Sequence, residues 1–290
     1  MARSWRPVED LSSAAAGWRG ELVEHAPIGV RGIPPRPLWA YLPRSYAASG
    51  PRRPLLVLHD GQNLFDPEWS FAGSWRVPAA IDALDRTTGA APVVIGVPNG
   101  GARRLREYTP FRDHRLGGGG ARQHLRFLLD EVVPRAERAF RVERRPSGRG
   151  VGGSSLGASV SLWAAFEARG ELGAVLAMSP TTRFAGEALR DYLRAVRRPP
   201  PLRVYLDCGL EEGRRPGAVA DAPTPTAYVR RVRRLRRALE RLGLGEPATL
   251  RYVEEPGGRH EEAAWARRLP TALDWLYRGG DAAPLRYAGR

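Results

Sequence analysis

Short apolar runs alternate with longer helical patterns along most of the chain. The runs 54–60, 91–97 and 202–207 are almost continuously apolar, as expected for strands buried on both faces of a sheet. The segment 121–140 instead repeats its apolar positions with a helical period. This alternation predicts an α/β fold with a mostly parallel central sheet and helices on both faces.

The pattern predicts eight strands, at 21–25, 37–42, 54–60, 91–97, 149–154, 173–178, 202–207 and 248–253. It predicts helices at 76–86, 121–140, 156–169, 186–196 and 261–277, with one more through the arginine-rich run near 230. Glycine and proline turns separate the first two strands, which are expected to form an antiparallel N-terminal edge. Residues 98–120 are predicted to be a long polar loop, because they contain many glycines and no periodic apolar positions.

No internal repeat or interdomain linker interrupts this pattern, which favours a single domain over residues 1–290. Within it we expect an N-terminal extension and edge strand (1–36), a catalytic core (37–278) and a tail (279–290). Hydrophobic residues make up 42% of the 290 residues, which is enough for a sizeable core.

The composition bears on where the protein resides. Mean hydropathy is negative, and no long uncharged apolar stretch suggests a transmembrane span. The first twenty residues lack the apolar centre of a secretory signal. The single cysteine, Cys208, excludes an intrachain disulfide, and its place at the end of an apolar run favours a small buried side chain over a catalytic thiol. We therefore expect a cytoplasmic protein that does not associate with membranes.

The formal net charge of +15 could indicate a polyanionic partner. However, all 46 basic residues are arginine and lysine does not occur. Together with abundant alanine, glycine and proline, this indicates a coding bias that raises arginine content without a binding role. In the densest run, 230–237, arginine pairs alternate with apolar positions at helical spacing, which predicts an amphipathic helix with its arginines in water. No aromatic residues interleave the run, and no nucleic-acid partner is expected.

The residues Gly153-Ser154-Ser155-Leu156-Gly157 match the pattern G-x-S-x-G between a predicted strand and a predicted helix. In such an elbow the serine occupies a sharp turn that exposes its hydroxyl, and the glycines remove side chains that would clash. The following helix directs its N-terminus toward the developing oxyanion. The motif therefore predicts Ser155 as a catalytic nucleophile.

A serine hydroxyl needs a neighbouring base to accept its proton. In α/β-hydrolases the residues follow in the order serine, acid, histidine, and His260 is the histidine that follows Ser155. It lies between the last predicted strand and the last predicted helix, which makes it the candidate base. The chain's other histidines precede the serine and are His25, His59, His114 and His124.

The third member of such a triad is a carboxylate that orients the histidine and offsets its charge. It should lie after the strand 202–207, where the sequence contains Asp207, Glu211 and Glu212. Asp207 is still part of the strand, so its side chain could point into the structure. The residues themselves do not distinguish between these three.

The turn after the first central strand, 59–66, is the candidate oxyanion loop. One backbone N–H of an oxyanion hole follows the nucleophile, here at Leu156, and the second comes from a loop after an early strand. We assign the second to Gln62, because Gly61 allows the backbone to turn closely. Aromatic residues just beyond could be either core or pocket wall: Phe65, Trp69, Phe71 and Trp75.

Five segments together resemble the putative-esterase family of α/β-hydrolases: LLVLHDGQNLFD, VIGVPNGGARRLREYTP, GVGGSSLGASVSLWAAF, LDCGLEEG and GGRHEEAAWARRLP. That family includes enterochelin esterases, feruloyl and acetylxylan-type carbohydrate esterases, and mycolyltransferases. The resemblance extends from about residue 38 to residue 277, in the family's order of motifs. It implies the α/β-hydrolase fold and ester chemistry. The separate N-terminal domain of many siderophore esterases has no room in this chain.

The resemblance also implies roles for individual residues. It supports Ser155 as nucleophile, His260 as base, and the backbone N–H groups of Gln62 and Leu156 as the oxyanion hole. The family pattern Gly-Thr-x-Asp/Glu matches residues 209–212, which implies Glu212 as the acid, although leucine replaces threonine at position 210. The residues expected at the substrate are Asp60, Phe65, Trp69, Trp75, Arg104 and Tyr108.

These residues predict a serine carboxylic-ester hydrolase that forms an acyl-enzyme. Its small-molecule substrate could be a siderophore, aryl or carbohydrate ester, and no metal or organic cofactor is implied. The alternatives are an acyltransferase of the same fold and a non-catalytic basic binding protein.

Overall fold

The structure, a computed structural model, describes residues 4–70, 72–214 and 225–278. Its strands are β1 (Trp5–Pro7), β2 (Glu21–Val30), β3 (Ile33–Leu42), β4 (Leu55–His59), β5 (Val93–Val97), β6 (Arg112–Asp113), β7 (Gly117–Gly118), β8 (Arg149–Ser155), β9 (Ala174–Pro180), β10 (Arg203–Gly209) and β11 (Leu250–Glu255). The helices are α1 (Val77–Thr88), α2 (Arg104–Tyr108), α3 (Ala121–Arg126), α4 (Val133–Ala139), α5 (Leu156–Glu167), α6 (Ala188–Ala195), α7 (Ala227–Arg241) and α8 (Glu262–Tyr277). Short 3₁₀ turns occupy Ser13–Gly17, Gly61–Asn63, Pro67–Trp69, Gly101–Arg103, Pro146–Gly148 and Phe184–Glu187.

Within this described part, nine strands form one sheet in the order β1-β2-β3-β5-β4-β8-β9-β10-β11. The pairs from β1 to β5 are antiparallel, and all pairs from β5 to β11 are parallel. The predicted mostly parallel sheet with an antiparallel N-terminal edge is therefore confirmed.

Helices cover both faces of the sheet, and strand β4 shows why its sequence is continuously apolar. Leu55 and Val57 belong to a core cluster that also contains residues of α4, α5 and α7. Leu56 and Leu58 point to the opposite face and join a cluster with residues of α1 and α8. Because successive side chains of a strand alternate between faces, a central strand covered on both sides must be apolar throughout.

The long polar loop predicted at 98–120 contains helix α2 and the small hairpin of β6 and β7, so that prediction was wrong in part. Helix α2 has only five residues, too few to show a helical period in sequence. It is held by tertiary contacts: Glu107 is buried and forms a bidentate ion pair with buried Arg36, at 2.7 and 2.8 Å.

The single helix predicted at 121–140 consists of α3, a π-helical segment at Phe127–Val132, and α4. Pro134 lies in the first turn of α4 and has no N–H for the carbonyl one turn earlier, which accounts for a local change of hydrogen-bond register. Strand β1 was not predicted, because three residues do not establish a period of two.

The arginine-rich run forms the amphipathic helix α7 that its spacing predicts, with the buried side chains Val229, Val232, Leu235, Ala238 and Leu239. Several of its arginines form ion pairs with neighbouring elements. Glu187 binds Arg231 and Arg234, and Glu254 binds Arg233. These pairs fasten α7 to the segment before α6 and to β11.

The single cysteine, Cys208, is fully buried, as predicted, and burial raises the pKa of its thiol to about 12. Among the described helices, none has both the length and the apolar character needed to cross a membrane.

Candidate active site

Ser155 ends β8 and directly precedes α5. Its backbone has φ 55° and ψ −121°, a region that residues with a Cβ rarely adopt. The glycines on either side permit this turn. A Cβ on Gly153 would lie 2.9 Å from the backbone of Gly157, and one on Gly157 would lie 3.2 Å from the Cβ of His59. The sequence thus specifies the turn locally, as the G-x-S-x-G pattern predicts.

The structure brings Ser155 together with His260 and Glu212 from three separate segments. His260 Nε2 lies 2.9 Å from Ser155 Oγ, and His260 Nδ1 lies 2.9 Å from Glu212 Oε2. The imidazole packs edge-on against the rings of Trp265 and Tyr228, with centroid distances of 5.0 and 5.3 Å. These contacts fix the ring between the hydroxyl and the carboxylate.

Glu212 is buried and its oxygens accept several hydrogen bonds. Gly209 N donates to Oε1 at 2.7 Å, and Ser179 Oγ donates to the same oxygen at 2.5 Å. Burial raises the pKa of Glu212, but the hydrogen bonds and the charge of His260 outweigh it and leave the pKa below the usual range. The side chain is therefore a carboxylate at neutral pH.

The other two candidate acids have different partners. Asp207 is fully buried and accepts hydrogen bonds from Ser179 N at 2.9 Å and Arg268 Nε at 2.8 Å. Glu211 forms an ion pair with Arg214 at 2.5 Å. Of the three carboxylates, Glu212 is the one in contact with the His260 ring.

Ser179 connects this region, although no motif in the sequence marks it. Besides donating to Glu212, its hydroxyl accepts hydrogen bonds from Trp265 Nε1 at 3.0 Å and from Arg268 at 2.8 Å. Trp265 and Arg268 are three residues apart on α8 and therefore share a face of the helix. Their spacing within the segment GGRHEEAAWARRLP is the feature of the sequence that could have indicated this shared contact.

The loops that carry the acid and the base are joined through their backbones. Leu210 N donates to Glu255 O at 2.9 Å, and Glu211 N donates to Gly258 O at 3.0 Å. A Cβ on Gly209 would overlap the carbonyl of Gly258. We call this contact between residues 209–211 and 255–258 the loop seam. It holds Glu212 and His260 at a fixed separation.

Thr181 is a second residue that sequence reasoning missed. Its Oγ1 lies 2.9 Å from Ser155 Oγ, and its N–H donates to Ser155 O at 3.0 Å. It follows β9, where neither a motif nor a period distinguishes it from other loop residues.

The candidate oxyanion loop begins at Asp60, whose φ of 55° is left-handed, and continues into the 3₁₀ turn Gly61–Asn63. A Cβ on Gly61 would lie 2.8 Å from the backbone of Gly96 and Val97, so this approach requires glycine. The first N–H groups of a helical turn have no acceptor within the turn. Gln62 occupies such a position here, and Leu156 occupies one at the start of α5.

Side-chain contacts hold this loop in place. Arg104 binds both carboxylate oxygens of Asp60, at 2.7 and 2.8 Å, and Asn99 Nδ2 donates to one of them at 2.7 Å. Asp60 N donates to the hydroxyl of Tyr108 at 3.1 Å, and Tyr108 is fully buried. Arg104 and Tyr108 therefore both contact the loop that carries Gln62.

The structure places the aromatic residues expected at the substrate elsewhere. Phe65 and Trp75 are buried in the core cluster of α1 and α8, and Trp69 stacks on Trp39 with a centroid distance of 4.9 Å. None of these three belongs to the described residues that line the cavity at Ser155. These three side chains pack the segment between β4 and α1. The fourth aromatic residue of the predicted cluster, Phe71, lies outside the described residues.

Two cavities adjoin the candidate nucleophile. The larger, of about 310 Å³, is lined by Asp60, Asn63, Asn99, Arg104, Ser154, Ser155, His260, Glu262 and Trp265. The smaller, of about 20 Å³, is mostly apolar and is bordered by Leu156, Thr181, Tyr108, Phe111, Phe184 and Leu189, among others. The larger cavity is thus polar and the smaller is narrow.

The sheet order, the serine elbow and the histidine after the last strand define an α/β-hydrolase fold. Comparison with protein families then identifies the chain further: residues 35–276 match the model described as Putative esterase. The chain belongs to this family.

Individual relatives are distant. "Uncharacterized protein YbbA" of Bacillus subtilis (strain 168) is 25% identical over 243 residues, which cover 82% of this chain and 90% of that protein. A ferulic acid esterase structure has a TM-score of 0.67 at 17% identity and covers 90% of this chain and 99% of its own. Siderophore hydrolase EstA from Aspergillus nidulans has a TM-score of 0.64 at 18% identity, with 93% and 99% covered.

The enterobactin esterase FES from Shigella flexneri, with a structure titled as being in the presence of enterobactin, has a TM-score of 0.65 at 18% identity. The match covers 88% of this chain but 58% of that one. At these identities the structures share the fold. Family membership supports an esterase.

Proposed function

We propose that this chain is a serine carboxylic-ester hydrolase with Ser155 as nucleophile, His260 as general base and Glu212 as the acid of the triad. The observation that carries the proposal is the pair of 2.9 Å contacts that join Ser155 Oγ, His260 and Glu212. A hydroxyl in line with an imidazole and a buried carboxylate is the arrangement that activates serine.

The reaction proceeds in two halves. His260 Nε2 takes the proton of Ser155 Oγ as the oxygen attacks the ester carbonyl, and Glu212 offsets the charge of the imidazolium. The backbone N–H groups of Gln62 and Leu156 bind the oxyanion. His260 then protonates the leaving alcohol, and an acyl-enzyme remains on Ser155. Water, deprotonated by His260, releases the acid and restores the serine.

The contacts of the oxyanion loop support this mechanism. Arg104, Asn99 and Tyr108 bind Asp60 in its left-handed conformation and so hold the backbone before Gln62. An oxyanion hole stabilises the transition state only if its donors are already in position before the reaction. In this proposal Arg104 and Tyr108 are positioning residues, and Asp60 both positions the loop and lines the cavity.

A strained serine also weighs against a purely binding role. Residues in sparsely populated backbone regions cost about 1–3 kcal/mol and cluster at functional sites. Ser155 is such a residue and lines the larger cavity. The neighbours named as ferulic acid esterase and siderophore hydrolase support an ester as substrate.

Hydrolysis of p-nitrophenyl acetate and butyrate by the purified protein tests the proposal. Ser155→Ala should lower turnover by about a million-fold, to the level left by the oxyanion hole and binding. Ser147→Ala is the matched control, because Ser147 is an exposed serine next to the opposite end of β8. A fluorophosphonate should label the wild type at Ser155 and leave the Ser155→Ala variant unlabelled. Undiminished hydrolysis by a folded Ser155→Ala variant would overturn the proposal.

A further inference from the structure

We propose that Glu262 makes the leaving-group side of this site select esters of positively charged or uncharged, hydroxyl-bearing alcohols over esters of anionic alcohols. The inference rests on the proposed function and names the substrate class of the same site.

The position of His260 identifies the side of the site that receives the alcohol. In the proposed reaction, His260 Nε2 hands its proton to the leaving oxygen, so the alcohol must lie against that ring. His260 and Glu262 line the same larger cavity. The narrow apolar cavity lies against Leu156 and Thr181, where an acyl group on Ser155 would extend. The larger cavity is therefore the alcohol subsite.

The charges in the alcohol subsite are unequal. Its lining includes two carboxylates, Asp60 and Glu262, and one guanidinium, Arg104. Arg104 binds both oxygens of Asp60, and this bidentate pair has no net charge. The carboxylate of Glu262 is then the one charge in this lining that no ion pair offsets. With a neutral His260, the lining therefore carries one net negative charge.

Glu262 has a neutral partner in place of a cation. Asn63 Nδ2 donates to its Oε1 at 3.2 Å. Among residues 4–70, 72–214 and 225–278, no arginine lies within 4 Å of its carboxylate. Burial raises the pKa of Glu262, and the nearby charges of His260 and Arg104 offset this only in part. A cationic or hydroxyl-donating ligand would supply the missing partner.

The rest of the lining suits the same class of ligand. Asn63 and Asn99 are amides that can donate to or accept from hydroxyl groups, and Trp265 offers the face or edge of an indole near His260. This local negative charge contrasts with the net charge of +15. The arginine-rich surface thus does not predict the charge preference of the reactive site.

The test uses three acetyl thioesters of similar size that differ in the charge of the leaving group. They are acetylthiocholine (cationic), 3,3-dimethylbutyl thioacetate (its uncharged isostere) and S-acetyl-3-mercaptopropionate (anionic). The released thiol is measured with a colorimetric thiol reagent. We expect kcat/KM in the wild type to decrease in that order, by about sixfold for each unit of charge, which is the effect of a unit charge about 4 Å away across water.

Glu262→Gln should bring the cationic-to-uncharged and uncharged-to-anionic ratios close to one. Glu261→Gln is the matched control, since Glu261 is the adjacent exposed glutamate outside the cavity lining and its loss changes the net charge equally. This control should keep the wild-type ratios. Thermal unfolding establishes that both variants are folded.

Two outcomes would overturn the inference: equal or reversed ratios in the wild type, or ratios that Glu262→Gln leaves unchanged. Either could occur while Ser155-dependent hydrolysis of p-nitrophenyl acetate persists, in which case the proposed function stands. If the thioesters are not turned over, inhibition of p-nitrophenyl acetate hydrolysis by choline, 3,3-dimethylbutanol and 3-hydroxypropionate gives the same comparison. Loss of Ser155 dependence would instead contradict the proposed function.

Discussion

Ser179 Oγ lies 2.5 Å from Glu212 Oε1, while His260 binds the other oxygen of the same carboxylate. The serine hydroxyl in turn accepts hydrogen bonds from Trp265 and Arg268 of α8. The Ser179 hydroxyl thus fixes the oxygen of Glu212 that does not bind His260, and two hydrogen-bond donors fix that hydroxyl in turn. A carboxylate fixed in this way can keep the imidazole in one orientation.

Ser179→Ala removes this support and should lower kcat with little change in KM. A hydrogen bond to a charged group contributes about 1.5–3 kcal/mol, which corresponds to a loss of about tenfold to a hundredfold. The hydrogen bond from Ser179 helps to lower the pKa of Glu212, so its loss should raise that pKa. The acid limb of the pH–rate profile should therefore move to higher pH. A folded variant with wild-type kcat and an unmoved acid limb would show that Ser179 does not support the acid.

Replacing each glutamate after β10 distinguishes the two candidate acids there. Glu212→Gln should lower kcat by about ten-thousand-fold, because an amide cannot hold the imidazole in the required tautomer or offset its charge. Glu211→Gln changes the neighbouring side chain, which forms an ion pair with Arg214, and should keep kcat within about tenfold of the wild type. Steady-state kinetics with p-nitrophenyl acetate makes the comparison, and the reverse order of effects would assign the acid to Glu211.

The buried pair of Arg36 and Glu107 should matter for stability. Removing one partner of a buried ion pair leaves an uncompensated charge and costs about 3–5 kcal/mol. We expect Glu107→Gln to lower the free energy of unfolding in urea by that amount. The matched control is Glu24→Gln, whose partner Arg6 is mostly exposed, and it should cost under about 1 kcal/mol. Equal losses in the two variants would contradict the argument from burial.

Glu187 should make the attachment of α7 depend on pH. The hydrogen bond from Arg234 lowers its pKa, and the charges of nearby arginines add to this. A glutamate with a lowered pKa in the folded state contributes stability above its unfolded pKa, and that contribution disappears as pH falls through the folded pKa. Glu187→Gln should therefore be about 1 kcal/mol less stable than the wild type at pH 7. The two unfolding free energies should converge in acid, and a constant difference would contradict the assignment.

Local sequence was enough to predict the strand–serine–helix turn, because Gly153 and Gly157 specify its backbone without help from distant residues. The sheet was predictable for a similar reason, since strands buried on both faces are continuously apolar. Phe65 and Trp75 show where local sequence is not enough to predict a residue's place. Their burial depends on α8, which lies far away in the chain, and no local pattern separates core from pocket wall.

The supporting residues were harder to predict from the chain. Ser179 lies near the end of β9 and Thr181 directly follows it, in a segment without a motif. Each acquires its contacts through the sheet order that sets β8, β9 and β10 side by side. Arg104 lines the larger cavity, and its guanidinium also binds both carboxylate oxygens of Asp60, a pairing that the sequence does not indicate. That pairing depends on helix α2, which at five residues is too short to show a helical period in sequence.

The loop seam has a consequence for how this protein tolerates change. Neither Gly209 nor Gly258 is among the residues lining the larger cavity, yet a single methyl group at Gly209 would push the two loops apart. In a population of variants selected for activity, these glycines would be retained as strictly as Ser155. A map of permitted substitutions would thus mark more residues than those that contact the substrate. The additional residues would be the glycines that set the distance between the loops carrying the acid and the base.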